Sequence, residues 1–423
     1  MVGCEGLAGL LCKKSGGEEE LGVFYPIRPE CQENASRTRF RLRAGKTLSP
    51  RKWHAAFCED GHLDIAKVLT RIQRGGIHPA IKGLVWEFLL GCYGPNSTFE
   101  ERNQIRQRRR EQYSIWKAEC KNLVPVIGSG KFITTPIITD DGQPITDSST
   151  NNDQGVHVNN AVSDKKAIQW MLLLHQIGLD VVRTDRTLVF YESETNQAKL
   201  WDVLAVYAWV DSDIGYVQGM NDICSPMVIL LENEADAFWC FDRAMKRLLS
   251  SCLCVYNREK TSGAVQVQLA CKLKELDGGE YLFAFRMLMV LFRREFTFVD
   301  ALYLWELMWA LEYNPNMFSI YEEPSAATDK SSATLSTKEL VKNCGKFERK
   351  NVKTGTSGQP TALAVFLVAS VLETKNKRIL NEAKGLDDVV QIVEEITGNL
   401  DAKKVCKDAL KIHSKYLSKA KMP

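Results

Sequence analysis

Apolar residues recur at helical spacing along most of this chain, and polar chemistry gathers in the breaks between them. After Gly75-Gly76, Pro79 opens a run in which Ile81, Leu84, Val85, Phe88 and Leu89 follow one another at three- and four-residue steps. That pattern predicts a helix over 79–90, stopped by Gly91 or Gly94. Helical character begins near Trp53 and firms up at Ile65 to Ile72. Thr98-Phe99-Glu100-Glu101 spells a capping box and predicts a helix over 99–122. A helix over 165–176 follows. In Ala198 to Val210, Leu200, Leu204 and Tyr207 share one face, with Trp201, Ala208 and Trp209 beside them. Similar runs predict helices over 226–231, 235–249, 281–294, 298–310, 362–372, 388–397 and 402–419. Thr297 marks the start of one of these and Gly398 the end of another.

Two polar stretches interrupt the series. Residues 128–163 are rich in Thr, Asp, Asn and Ser, and residues 322–360 in Ser, Thr and Lys. Both read as surface loops, the first with a short strand pair around Phe132 to Ile138. The expected fold is all-α with two long loop insertions, at about 124–163 and 322–360. Residues 1–64 form a variable, partly ordered lead, and 65–423 form the helical domain. No internal repeat of solenoid length appears.

Composition narrows the class without naming a function. Apolar residues make up 45% and charged ones 25% of 423 positions, with a net charge of +3. That is ordinary for a globular protein and too weak a charge to argue for nucleic acid. The 13 cysteines are scattered, and no Cys-x-x-Cys pair completes a zinc site. They read as reduced, buried thiols of an intracellular protein. The Leu7 to Leu11 run is short and ends at Lys13 and Lys14, unlike a secretory signal, and Val2 stands where myristoylation needs glycine. The longest apolar runs, Tyr281 to Phe292 and Thr361 to Leu372, fall short of the ~20 residues that span a bilayer. Arg102, Arg106, Arg108, Arg109 and Arg110 crowd one helix. They read as a solvated face, or as a contact for an acidic protein or anionic membrane.

Two segments place polar residues in what read as tight turns between apolar helices. The first runs Ile177-Gly178-Leu179-Asp180-Val181-Val182-Arg183-Thr184-Asp185-Arg186. The second runs Ile214-Gly215-Tyr216-Val217-Gln218-Gly219-Met220-Asn221-Asp222. Ile177, Asp180 and Arg183 match the I-x-x-D-x-x-R motif of the TBC-domain Rab GTPase-activating proteins, and Tyr216-Val217-Gln218 matches their Y-x-Q motif. Lys82 to Trp86 falls where that family carries R-x-x-x-W. The chain resembles the family over roughly residues 65–415, the two insertions aside.

The resemblance implies a multi-helix TBC domain that accelerates GTP hydrolysis by Rab-type GTPases in vesicle traffic. It also implies that Arg183 and Gln218 are the catalytic residues, an arginine finger and a glutamine supplied in trans. A guanidinium brings fixed charge to the phosphate oxygens, and a carboxamide orients the attacking water. GTP and Mg²⁺ then belong to the partner, and this chain needs no cofactor, metal or phosphate-binding loop of its own. Asp180 reads as a brace for the arginine segment and Tyr216 as a packed residue with its hydroxyl tied down. Gly215 and Gly219 permit a sharp path around the glutamine, and Ile177 and Trp86 belong to the core. Taken alone, either Arg183 or Arg186 suits the finger.

The protein is expected in the cytoplasm, meeting endomembranes only through partners. Two departures from the family pattern stand out. Lys82 replaces an arginine and could pair with a carboxylate such as Asp180. Residues 250–275 look short and irregular, with Cys252 and Cys254 in an unexpected place. The rival reading is a TBC-like scaffold that binds Rab proteins or other partners without hydrolysis.

Overall fold

In a computed structural model, residues 17–33, 36–145, 163–256, 267–276, 282–322, 341–354, 362–396 and 400–420 are described. Among them the regular elements are helices, and β-pairing is limited to isolated bridges. The expected strand pair around Phe132 to Ile138 is one of these, a bridge between Ile138 and Pro144. Its neighbours run as irregular backbone because Gly128, Gly130 and Gly142 each turn the chain at positive φ.

The helices fall into two packed groups. The first contains α5 (Phe99–Leu123), α6 (Lys165–Arg183), α7 (Glu194–Val210), α8 (Met220–Leu230) and α9 (Glu234–Tyr256); α6 to α9 each pack against the next, and α5 packs against both α7 and α9. The second centres on α12 (Phe298–Glu312), which is buried around almost its whole circumference. Around it lie α3 (Ile65–Gly75), α4 (Lys82–Leu89), α14 (Lys346–Thr354), α15 (Leu363–Thr374) and α18 (Ala402–Ala420). Contacts of α4 with α8 and of α9 with α15 join the groups.

Smaller helices complete the set: α1 (Gly17–Phe24), α2 (Pro50–His54), α10 (Val267–Glu275), α11 (Leu282–Met289), α13 (Met317–Tyr321), α16 (Asn376–Glu382) and α17 (Leu386–Glu394). The segment read as irregular is helical through Tyr256 and again over Val267–Glu275; residues 257–266 and 277–281 lie outside the described residues.

Local chemistry accounts for several boundaries. The Thr98 hydroxyl accepts from the Glu101 N–H, and the Glu101 carboxylate accepts from the Thr98 N–H, so the expected capping box starts α5. Pro79 begins a short 3₁₀ turn that leads into α4, and Gly91 follows at positive φ. Residues 36–48 are drawn onto α12, whose Asp300 carboxylate accepts the backbone N–H groups of Arg39 (2.8 Å) and Phe40 (2.7 Å).

The arginines of α5 bond within the protein, and Arg108, though exposed, pairs with Glu322. Arg109 donates to the Cys92 carbonyl and the Glu322 carboxylate, Arg110 to Asp236, Arg106 to Glu87, and Arg102 to the Gly61 carbonyl. Arg102 and Arg109 are buried. The side chains stitch a polar helix to both groups, because a guanidinium can satisfy several carbonyls and carboxylates from one position.

Candidate functional site

The R-x-x-x-W counterpart supports the scaffold. Lys82 and Trp86 lie one turn apart on α4, both fully buried, and both face Glu306 of α12. The Lys82 ammonium pairs with the Glu306 carboxylate; Trp86 Nε1 (3.4 Å) and the Ile77 N–H (3.2 Å) also donate to it. The partner of Lys82 is thus Glu306 and not Asp180. Burial pulls the Lys82 pKa down and pushes the Glu306 pKa up, each opposed by the other's charge. Trp86 also packs edge-on to Trp309, with ring centroids 4.9 Å apart.

Ile177 to Arg183 do not form a turn. They are the last two turns of α6, with Thr184 as its C-cap. Gly178 suggested a break, but the helix needs it for another reason: a Cβ there would sit 1.8 Å from the Ile133 carbonyl oxygen. Ile177 is buried in the core, whereas Leu179 and Val182 are exposed. One turn apart, Asp180 and Arg183 meet on the helix surface.

The second segment is a turn leading into α8. Gly215 (φ +63°) and Gly219 (φ +107°) both take left-handed backbone, and a Cβ on Gly219 would meet Val290 Cγ1 at 2.9 Å. Between them Tyr216 turns inward and Val217 and Gln218 outward. The Tyr216 hydroxyl donates to Asp180 Oδ2 at 2.6 Å, while Asp180 Oδ1 accepts from the Arg183 guanidinium. One buried carboxylate therefore ties the two segments together. Burial first, then the bond to Asp180, holds the Tyr216 phenol well above its usual pKa; the same carboxylate raises that of Arg183.

Arg183 keeps 56% of its side chain exposed, and Gln218 is exposed as well. Among the described residues the Gln218 carboxamide has no hydrogen-bond partner. Leu179, Val182 and Val217 add exposed apolar side chains on the same two segments. The result is an outward surface with one cation and one free carboxamide, suited to another protein. Arg186 is exposed too, but no bond joins it to the Tyr216–Gln218 turn.

Further residues brace this junction that the motif reading did not assign. The Asn221 amide donates to Thr184 Oγ1 (2.9 Å) and its oxygen accepts the Gly219 N–H (3.1 Å). Thr184 in turn donates to the Asp180 carbonyl. Asp185 accepts from Ser225 Oγ (2.6 Å) and from Arg293, and Asp222 pairs with Arg294. Asn221 stood in the Gly219-Met220-Asn221-Asp222 extension noted in the sequence. Arg293 gave no signal, since its partner is 108 residues away.

Comparisons with known proteins agree with this geometry. Residues 137–321, which include both segments, match the family model described as the Rab-GTPase-TBC domain. TBC1 domain family member 17 of Homo sapiens is 29% identical over 291 residues, covering 64% of this chain and 38% of that protein. Rab GTPase-activating protein 22 of Arabidopsis thaliana is 24% identical over 469 residues, covering 86% of this chain and 79% of that one. The chain thus spans well under half the length of the human relative. The crystal structure of the Ypt/Rab-GAP domain of Gyp1p superposes with a TM-score of 0.56 at 16% identity, covering 86% of this chain and 98% of that chain, which shows a shared fold. Over residues 137–321 the chain is thus similar to the Rab-GTPase-TBC domain, and it shares the fold of a solved Rab-GAP domain.

Proposed function

We propose that this chain accelerates GTP hydrolysis by Rab-type small GTPases and so regulates vesicle traffic. Arg183 and Gln218 are the residues that enter the partner's nucleotide site. The observation that carries this reading is the double use of Asp180. By holding both the Arg183 guanidinium and the Tyr216 hydroxyl, it ties the end of α6 that carries the arginine to the turn that carries the unpartnered glutamine.

GTP and Mg²⁺ belong to the partner, and this chain supplies groups rather than a nucleotide pocket. Water attacks the γ-phosphorus, the bond to the β–γ bridging oxygen breaks, and negative charge grows on the bridge and on the phosphoryl oxygens. The Arg183 guanidinium neutralises that charge with planar, permanent donors, while the Gln218 carboxamide accepts from the water and orients it. The Asp180 pair does not hinder this role: a pair with one partner more than half exposed is worth only about 0–1 kcal/mol. Arg183 can therefore leave Asp180 for a phosphate once the partner excludes water. The exposed apolar side chains of Leu179, Val182 and Val217 supply that exclusion.

Single-turnover GTP hydrolysis across a panel of Rab proteins tests the reading. Wild-type chain should accelerate at least one of them, and Arg183→Ala should lose roughly 10³-fold or more of the acceleration with its melting temperature retained. Arg186→Ala should keep the rate. Binding without acceleration by the wild-type chain selects the scaffold reading instead.

A further inference from the structure

Cations gather at a cleft between the 36–48 segment, the end of α3 and the start of α18. Arg39, Arg41, Arg43, Arg74 and Lys403 line it, with Phe40, Gly75 and Tyr303 as its floor. Its volume is about 50 Å³, room for one small group. The five cations come from three separate stretches of chain, so the cleft exists only in the folded protein.

Both carboxylates at this cleft are occupied. Asp300 accepts the Arg39 and Phe40 N–H groups and the Thr297 hydroxyl, and Asp401 accepts the Lys404 N–H at the start of α18. Arg41 is turned onto the Thr38 and Phe40 carbonyls. Lys403 donates to the Arg74 carbonyl at 2.8 Å, which fixes α18 against the end of α3 and leaves the Arg74 guanidinium outward. Among the described residues the guanidiniums of Arg39, Arg43 and Arg74 have no partner, and all three residues are exposed. Exposed Lys46 and Lys404 widen the cationic surface around the cleft. Burial, then the charges of Arg43 and Lys46, lowers the pKa of Lys403, opposed in part by Asp401.

We infer that this cleft binds a phosphate monoester, and that the phosphate is presented by a membrane lipid headgroup. Guanidiniums in a fixed fork match phosphate oxygens in pairs, and three unpartnered ones around a space of this size form a receptor for one such group. The surrounding lysines and arginines favour a membrane source over a small solute. They extend beyond the cleft and would meet the negative surface potential of an anionic leaflet, to which each basic residue adds. The site lies apart from Arg183 and Gln218 and stands whether or not those residues act on a GTPase.

Co-sedimentation of the full chain with phosphatidylcholine vesicles provides the test. The vesicles carry either a phosphatidylinositol bisphosphate or phosphatidylserine at matched total charge. Soluble inositol trisphosphate is titrated in parallel by calorimetry. The chain should prefer the phosphoinositide vesicles. Arg43→Gln with Arg74→Gln should weaken that binding by about 25-fold, at roughly five-fold per residue. Arg108→Gln, on an exposed side chain away from the cleft, should leave it unchanged. Lys403→Gln provides a second variant if the double variant melts early. Equal binding to both vesicle types, or undiminished binding by the cleft variants, overturns the proposal. Tight binding of inositol trisphosphate with no gain from vesicles overturns the membrane source.

Discussion

At the residue scale, one carboxylate in each half of the molecule does the organising. Asp180 holds Arg183 and Tyr216, and Glu306 holds Lys82, Trp86 and the Ile77 N–H. Tyr216→Phe removes a donor to Asp180 and frees the glutamine turn from α6. It should lower the stimulated hydrolysis rate about tenfold, the scale of one hydrogen bond to a charged group, with little change in Rab affinity. Rate and affinity measured on the same variant check this. Glu306→Gln leaves an ammonium buried without its counter-charge, and denaturant unfolding should show a loss of about 3–5 kcal/mol. Replacing both Lys82 and Glu306 with Met should cost much less. The bracing by Asp180 and the tied-down Tyr216 hydroxyl were legible from two short motifs because each motif is local. The partner of Lys82 was not, since it lies 224 residues away and only folding selects it over Asp180.

At the element scale, α3 was legible from apolar residues at helical spacing, and α5 from the capping box at its start. The end of α6 was misread for a physical reason. A glycine followed by Asp180 and Arg183 looks like a turn, yet Gly178 answers a tertiary contact with Ile133. Gly178→Ala should therefore destabilise the protein by about 1–3 kcal/mol despite the better helix propensity of alanine, because the opposing atom is backbone and cannot move aside. A thermal melt reads this directly. The docking of α18 should depend on pH. His413 is fully buried between Phe347 and Phe366, with Nε2 3.0 Å from Asn351 Oδ1. Burial, then the charge of Lys350, lowers its pKa from 6.5 to about 4. The folded state binds fewer protons than the unfolded state between those values. Its stabilisation is complete above pH 6.5 and is lost as pH falls toward 4. Unfolding midpoints measured across that range should drop, and His413→Gln should flatten the drop.

At the scale of the whole molecule, the two helical groups serve to fix one junction. The end of α6, the glutamine turn and the start of α8 meet there, braced by Asn221, Thr184 and the Asp185–Arg293 pair. The arginines of α5 contribute by stitching the groups together. In the proposed function Arg183 and Gln218 act as one unit on a partner's nucleotide. The most direct measurement is single-turnover GTP hydrolysis by a responsive Rab with wild-type chain, Arg183→Ala, Gln218→Ala and the double variant, all shown to be folded. The account predicts a loss of roughly 10³-fold for Arg183→Ala, a severe loss for Gln218→Ala, and a double variant little worse than Arg183→Ala alone. Full activity in either single variant, or losses that simply multiply, would contradict it.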